Sequence, residues 1–256
     1  MLGLVLVGLI SAEPIQVIIF AGGVSEADGA AALASFKKLP SVVTLPAGEP
    51  RVVESATLPG LKPGFRVVTL GTCRAPGPVL AALKAVYPGT YVKPLLSEVP
   101  EKCPTLGAAV IAAVEPAVKS GKLVLSAYTS TESSQDERGH DATSSTVGFV
   151  LVEKSSGLVR DVASVEGERA ERSGDGPAGW EYQACTVAVT AEKSGFLVER
   201  TCADERTGCA LRETSIPKSW TETQRVTVKG EVLVVSGVKK VVTERSECVA
   251  GSDEGD

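Results

Sequence analysis

The chain has 256 residues, 43% of them hydrophobic, enough to bury a core in one or two domains, and this excludes disorder over most of its length. A formal charge of −5 excludes a general binder of bare nucleic acid, because phosphate recognition needs a basic face. Nine basic residues stand against seven acidic ones up to Cys103 and 17 against 24 beyond it, so the two halves read as differently tasked.

The first twelve residues carry no charge and end in the small pair Ser11-Ala12, which reads as a signal-peptide core cleaved near Ala12. A buried first strand is the alternative. No later apolar run reaches the ~20 residues of a membrane span. The expected address is exported, periplasmic or extracellular.

A strand ending in glycine and followed by an amphipathic helix then occurs twice. The first copy runs Gln16 to Gly23 and into a helix over Glu26 to Lys38; the second runs Phe65 to Gly71 and into a helix over Pro78 to Tyr87. Each copy re-enters an extended run, Ser41 to Leu45 and Tyr91 to Leu95. The pattern predicts an α+β, ferredoxin-like (βαββαβ) N-terminal domain over residues 16–103, with two helices on one face of a four-stranded sheet and the other face open. Pro46 to Gly64 reads as a long surface connection with an extra edge strand at Arg51-Val-Val. Residues 104–121 are alanine-rich and read as a linker helix broken at Pro116.

From Lys122 the hydrophobic period becomes two, and about nine strands separated by Gly-containing turns are expected up to residue 249. Lys154 to Gly157, Glu192 to Gly195, Lys229-Gly230 and Ser236-Gly237 each read as hairpin turns. Nearest-neighbour pairing predicts an all-β antiparallel meander, folded as a sandwich or partly closed barrel. The polar stretches Thr129 to Ser145 and Gly167 to Gly179 read as mobile loops, and residues 250–256 as a disordered acidic tail.

The six cysteines form an even set with no CxxC pair, which favours disulfides in an oxidising compartment over free buried thiols. The expected pairs are Cys73–Cys103, Cys202–Cys209 across a hairpin tip, and Cys185–Cys248 by remainder.

Phe65-Arg-Val-Val-Thr-Leu-Gly-Thr-Cys73, with Ala81-Ala-Leu-Lys84 and Tyr91-Val-Lys93, resembles the repeat of the SPOR domain, a peptidoglycan-binding module of bacterial envelopes. Val17-Ile-Ile-Phe-Ala-Gly-Gly23 with Ala30 to Lys37 is a weaker copy, so the resemblance covers residues 16–95. It implies binding of glycan strands on the open sheet face. Strand alternation places Val67 and Thr69 outward with Phe20, and Tyr91 with Lys93 on one face of the last strand. Phe20, Thr69, Tyr91 and Lys93 are therefore the candidate ligand contacts, unless this face is covered by the second domain or simply meets solvent.

Enzymatic motifs are sparse. The single histidine, His140, lies beside Asp141 in a polar segment, a poor platform for a triad. Zinc and calcium spacings are absent, as are GxGxxG and GxxxxGK phosphate loops, so no metal or cofactor is assigned. The leading expectation is a non-enzymatic exported envelope protein that recognises cell-wall glycan or another extended ligand. One alternative is a secreted hydrolase using paired carboxylates among Glu153, Glu166, Glu181 and Glu199. Another is an accessory subunit that docks a partner protein.

Overall fold

A computed structural model describes residues 13–97, 99–135, 141–176, 179–205 and 215–247, and for 172–181 it describes only the strand course. The proposed signal peptide, His140, Cys209, Cys248 and the acidic tail lie outside the described residues.

The chain opens with β1 (Gln16–Gly23), whose apolar run alternates between two buried faces, and turns into α1 (Glu26–Phe36). Ser25 starts the helix through a reciprocal cap: the Asp28 N–H donates to Ser25 Oγ at 3.1 Å and the Ser25 N–H donates to Asp28 Oδ2 at 2.9 Å. These bonds, with the Ser25 backbone contribution largest, hold the Asp28 carboxyl below its ordinary pKa. Then come β2 (Val43–Thr44), β3 (Arg51–Glu54), a 3-10 turn at Ser55–Thr57, β4 (Arg66–Cys73), α2 (Gly77–Val86), β5 (Tyr91–Pro94) and β6 (Thr105–Leu106). Proline near the first position of α2 has no donor to waste there.

The ferredoxin-like βαββαβ arrangement read from the sequence is not what forms. The extended run after α1 leaves the sheet, and its β2 portion pairs with β6 in a separate two-stranded ribbon. The sheet has the order β3-β4-β1-β5, with β3 taking the edge place. The molecule as a whole is mostly β, with two helices among the described residues.

The segment expected as a linker helix is a strand, β7 (Val110–Ser120). Alanine's helix preference amounts to tenths of a kcal/mol per residue, and pairing with the next strand overrides it. Pro116 is accommodated because β7 is a sheet edge and its ladder shifts register between Val114 and Val118, where a missing N–H costs little.

The rest of the chain is β8 (Leu123–Gln135), β9 (Asp141–Glu153), β10 (Val159–Gly176), β11 (Gly179–Glu192), β12 (Gly195–Asp204), β13 (Ser215–Lys229), β14 (Val232–Val235) and β15 (Lys239–Glu247). The strands meander as expected, but within one sheet and not as a two-sheet sandwich. The sheet is nine-stranded and antiparallel, in the order β14-β13-β12-β11-β10-β9-β8-β7, with β15 also paired to β13. Turns at Gly157 and Gly230 form where expected, but Ser236-Gly237 makes no hairpin. β14 takes Val226–Lys229 of β13, and β15 takes the earlier part of the same strand. The polar stretches read as loops mostly continue the ladders of β8, β9, β10 and β11.

The large sheet curls. Its inner face buries Leu125, Val147, Phe149, Leu151, Phe196, Val198 and Val226 in one cluster. The Leu233 N–H on β14 donates to Asp161 Oδ2 on β10 at 2.7 Å, and Lys122 bridges Glu231 and Glu153 at 2.8 and 3.4 Å. Its outer face meets the helices: Tyr128, Val150 and Val159 share a core with Ile18, Phe20, Val68, Leu83 and Tyr87. Polar bonds secure the seam, with Tyr87 Oη donating to Gly157 O at 2.7 Å and the Val159 N–H donating to Ser35 Oγ at 3.2 Å. The helices are thus a middle layer between two sheets.

Candidate groove on the reverse face of the small sheet

The face of the small sheet turned away from the helices is not fully open. Its centre, formed by Ile15, Val17, Ile19 and Val67, is capped by Leu58 and Leu61 from the turn after β3 and by Leu95 and Val99 after β5. Beside this cap remains a groove of about 480 Å³. Tyr91 and Lys93 of β5 line it together with Phe65, Lys62, Ile19 and Val67.

The lip of the groove is fixed by backbone bonds. Ser55 and Phe65 close the excursion between β3 and β4: the Ser55 N–H donates to Phe65 O at 2.9 Å and the Phe65 N–H to Ser55 Oγ at 3.0 Å. The Leu96 N–H donates to Pro59 O at 2.9 Å, tying the lip to the strand that carries Tyr91. Tyr91 is 38% exposed and Phe65 37%, so each is partly packed and keeps part of its surface accessible. Partial burial raises the pKa of the Tyr91 phenol, keeping it a neutral donor and acceptor.

The four sequence-derived contacts therefore separate. Tyr91 and Lys93 come together in the groove; Phe20 and Thr69 do not join them. Phe20 is 1% exposed on the helix side, with ring centroids 4.4 Å from Tyr87 and 5.2 Å from Phe36. The register explains this: Thr69 pairs with Ile19, so Ile19 shares its face and the adjacent Phe20 points the other way. Thr69 does lie on the reverse face, but it is 2% exposed and its Oγ1 donates to Glu49 Oε2 at 2.8 Å, which seals it beneath the segment before β3. Phe65 and Lys62 were missed. Their signal was an exposed aromatic beside a Pro-Gly turn in a chain with only 4% aromatics.

Of the carboxylates proposed for hydrolysis, Glu166 and Glu153 are held in ion pairs. Glu166 and Glu222 meet at Arg200, whose Nη1 donates to both at 2.8 Å while its Nε donates to Gly167 O at 2.9 Å. Glu222 also accepts from Trp220 Nε1 at 2.9 Å, and Lys240 lies over the Trp220 ring at 4.0 Å. Glu153 is occupied by Ser156, Arg160 and Lys122, with the Ser156 hydroxyl first among the causes that lower its pKa. Glu199 is exposed, and the Glu181 side chain lies outside those described.

Among the described residues two disulfides are present. Cys73–Cys103 forms as expected, and Cys185 pairs with Cys202, which overturns both Cys202–Cys209 and Cys185–Cys248. Cys185 and Cys202 are direct cross-strand partners, packed against Trp220. Among the described residues no cluster of His, Cys, Asp or Glu is placed to hold a metal ion, and no described helix is long and apolar enough to cross a membrane. The chain matches no family model, no curated protein and no solved structure.

Proposed function

We propose that this chain is an exported bacterial envelope protein that binds an extended cell-wall glycan in the Tyr91 groove without turning it over. The observation that carries the reading is the pairing of two half-exposed aromatic rings, Tyr91 and Phe65, with Lys62 and Lys93 along one groove with a hydrogen-bonded lip. Aromatic faces suit the apolar faces of sugar rings, and the ammonium groups suit carboxylates borne by a wall polymer. A preset lip lowers the ordering cost of binding. The SPOR-like residues around Phe65 and Tyr91 support the same ligand class, and two disulfides suit an oxidising compartment.

The test is co-sedimentation with purified peptidoglycan sacculi. Wild-type protein is expected in the pellet, and Tyr91→Ala is expected to fall at least fivefold in retention while keeping its melting temperature. Absence of wild-type retention, or equal retention of both proteins, overturns the proposal.

A second reading, docking of a partner protein, draws on Val232, Val234, Val235, Val238 and Val241, all exposed along β14, β15 and their junction. It predicts a stable complex on size-exclusion chromatography of native extract, unaffected by Tyr91→Ala.

A further inference from the structure

The outer edge of a sheet presents backbone donors and acceptors to any second strand, and folded proteins guard such edges by covering them, capping them or keeping them short. Most edges here are guarded. The outer strands of the small sheet, β3 and β5, have four residues each. In the large sheet β7 packs against α2 and β11, while β14 has four residues and is held at the Leu233 N–H by Asp161. β15 is the exception among the described elements. It runs nine residues, contains no proline and pairs with β13 alone, so its other edge has no described neighbour. Every residue of it except Val242 and Ser246 is exposed.

The charges along β15 run in a self-complementary order. Lys239-Lys240-Val241-Val242 is a basic arm, Glu244-Arg245-Ser246-Glu247 carries two acids, and Thr243 stands between them where the ladder to β13 shifts register. A two-fold axis at Thr243 lays the first arm of one copy along the second arm of the other. Lys239 then stands opposite Glu247 twice, Val241 lies opposite Arg245, and no like charges are opposed. Moving the axis to Val242 opposes Lys239 to Arg245, and moving it to Glu244 opposes that carboxylate to its own copy. Lys240 is already engaged, with its Nζ 3.8 Å from Glu222 and 4.0 Å above the Trp220 ring. Lys239 and Glu247 are exposed, and their side chains make no hydrogen bond or ion pair among the described residues. They share a face, because their partners on β13, Thr223 and Ser215, are separated by an even step along that strand. A lysine that keeps strangers off an edge thus becomes, against this one sequence, half of an ion pair.

We propose that the chain forms a two-fold dimer by antiparallel pairing of β15 with β15 of a second copy, which joins the two large sheets edge to edge. Val241, 51% exposed in the single chain, is covered there by the aliphatic stem of Arg245 from the other copy. The Tyr91 groove belongs to the small sheet and takes no part, so the dimer stands whether or not that groove binds glycan.

The experiment is sedimentation velocity of the purified full chain over a concentration series, with Lys239→Glu, Glu247→Lys and the two combined. Wild-type protein is expected to pass from the mass of one chain to that of two as concentration rises. Each single reversal opposes like charges twice and should weaken the dimer about tenfold. The combined swap restores both pairs and should return the Kd to within about threefold of wild type. Amide hydrogen exchange along β15 should slow as the dimer fills, a readout that needs no variant. Wild type that stays a single chain up to about 1 mM, as docking of a different protein would require, overturns the proposal. So do assemblies larger than two chains, single reversals that leave the dimer unchanged, a combined swap as weak as the singles, or exchange in β15 that ignores concentration.

Discussion

Phe20 gives the sharpest test of the register. Strand alternation alone placed it beside Thr69 on the reverse face, where truncation would affect ligand binding and leave stability unchanged. In the structure it fills the helix-side core at 1% exposure against Tyr87 and Phe36. A buried phenylalanine removes roughly 150–250 Å² from water, which at ~25 cal/mol per Å² is about 4–6 kcal/mol as an upper bound. Truncation of buried aromatics costs about 3–5 kcal/mol. Phe20→Ala should therefore lose about 4 kcal/mol, and Phe20→Leu, which keeps most of the volume but loses both aromatic contacts, about 1–2 kcal/mol. Urea unfolding followed by tryptophan fluorescence or far-UV circular dichroism measures both. A loss under about 1 kcal/mol for Phe20→Ala with an unchanged m value would refute the assigned register. So would loss of sacculus retention by a variant that remains fully folded.

Gly71 sits in β4 at φ +144°, where a Cβ would lie 2.4 Å from the Lys102 carbonyl oxygen, so Gly71→Ala should cost about 2 kcal/mol or more in denaturant unfolding. Replacing Cys73 and Cys103 together by Ala opens a link of sequence separation 30 and should cost about 3–4 kcal/mol on the chain-entropy scale, read as a lower urea midpoint that dithiothreitol moves less than it moves that of the wild type, because only Cys185–Cys202 remains to be reduced among the described pairs. Acid should loosen the clamp among Lys122, Glu153 and Glu231. Glu153 is held below its ordinary pKa of 4.5 first by Ser156 and then by Arg160, and Glu231 is held below 4.5 first by its hydrogen bond from Lys122. Because both folded values are depressed, their contribution is complete above about pH 4.5 and is lost as the pH falls through those lower values. In a pH series of melting temperatures, Glu153→Gln should flatten the acid limb; an unchanged limb would show that the clamp contributes nothing.

Local signals located several elements well. The glycine-ended strand of β1, the two helices and the turns at Gly157 and Gly230 all follow from short-range chemistry: hydrophobic period and glycine's access to positive φ. One further fact was there to be read. A two-residue turn at Lys193-Ser194 pairs Glu192 with Gly195, and stepping back residue for residue along both arms pairs Cys185 with Cys202.

Tertiary structure decided the rest. Helix propensity in residues 104–121 gave way to the ladder between β7 and β8, and the run after α1 left the small sheet for the ribbon with β6. In the groove, Tyr91 and Lys93 stayed accessible while Thr69 was sealed by Glu49, twenty residues earlier in the chain. The sequence by itself determined the period of each segment and the places where the chain turns, because those depend on neighbours along the chain. It left open which strand faces which and what covers each face, because those depend on contacts between distant residues whose energies outweigh local preference.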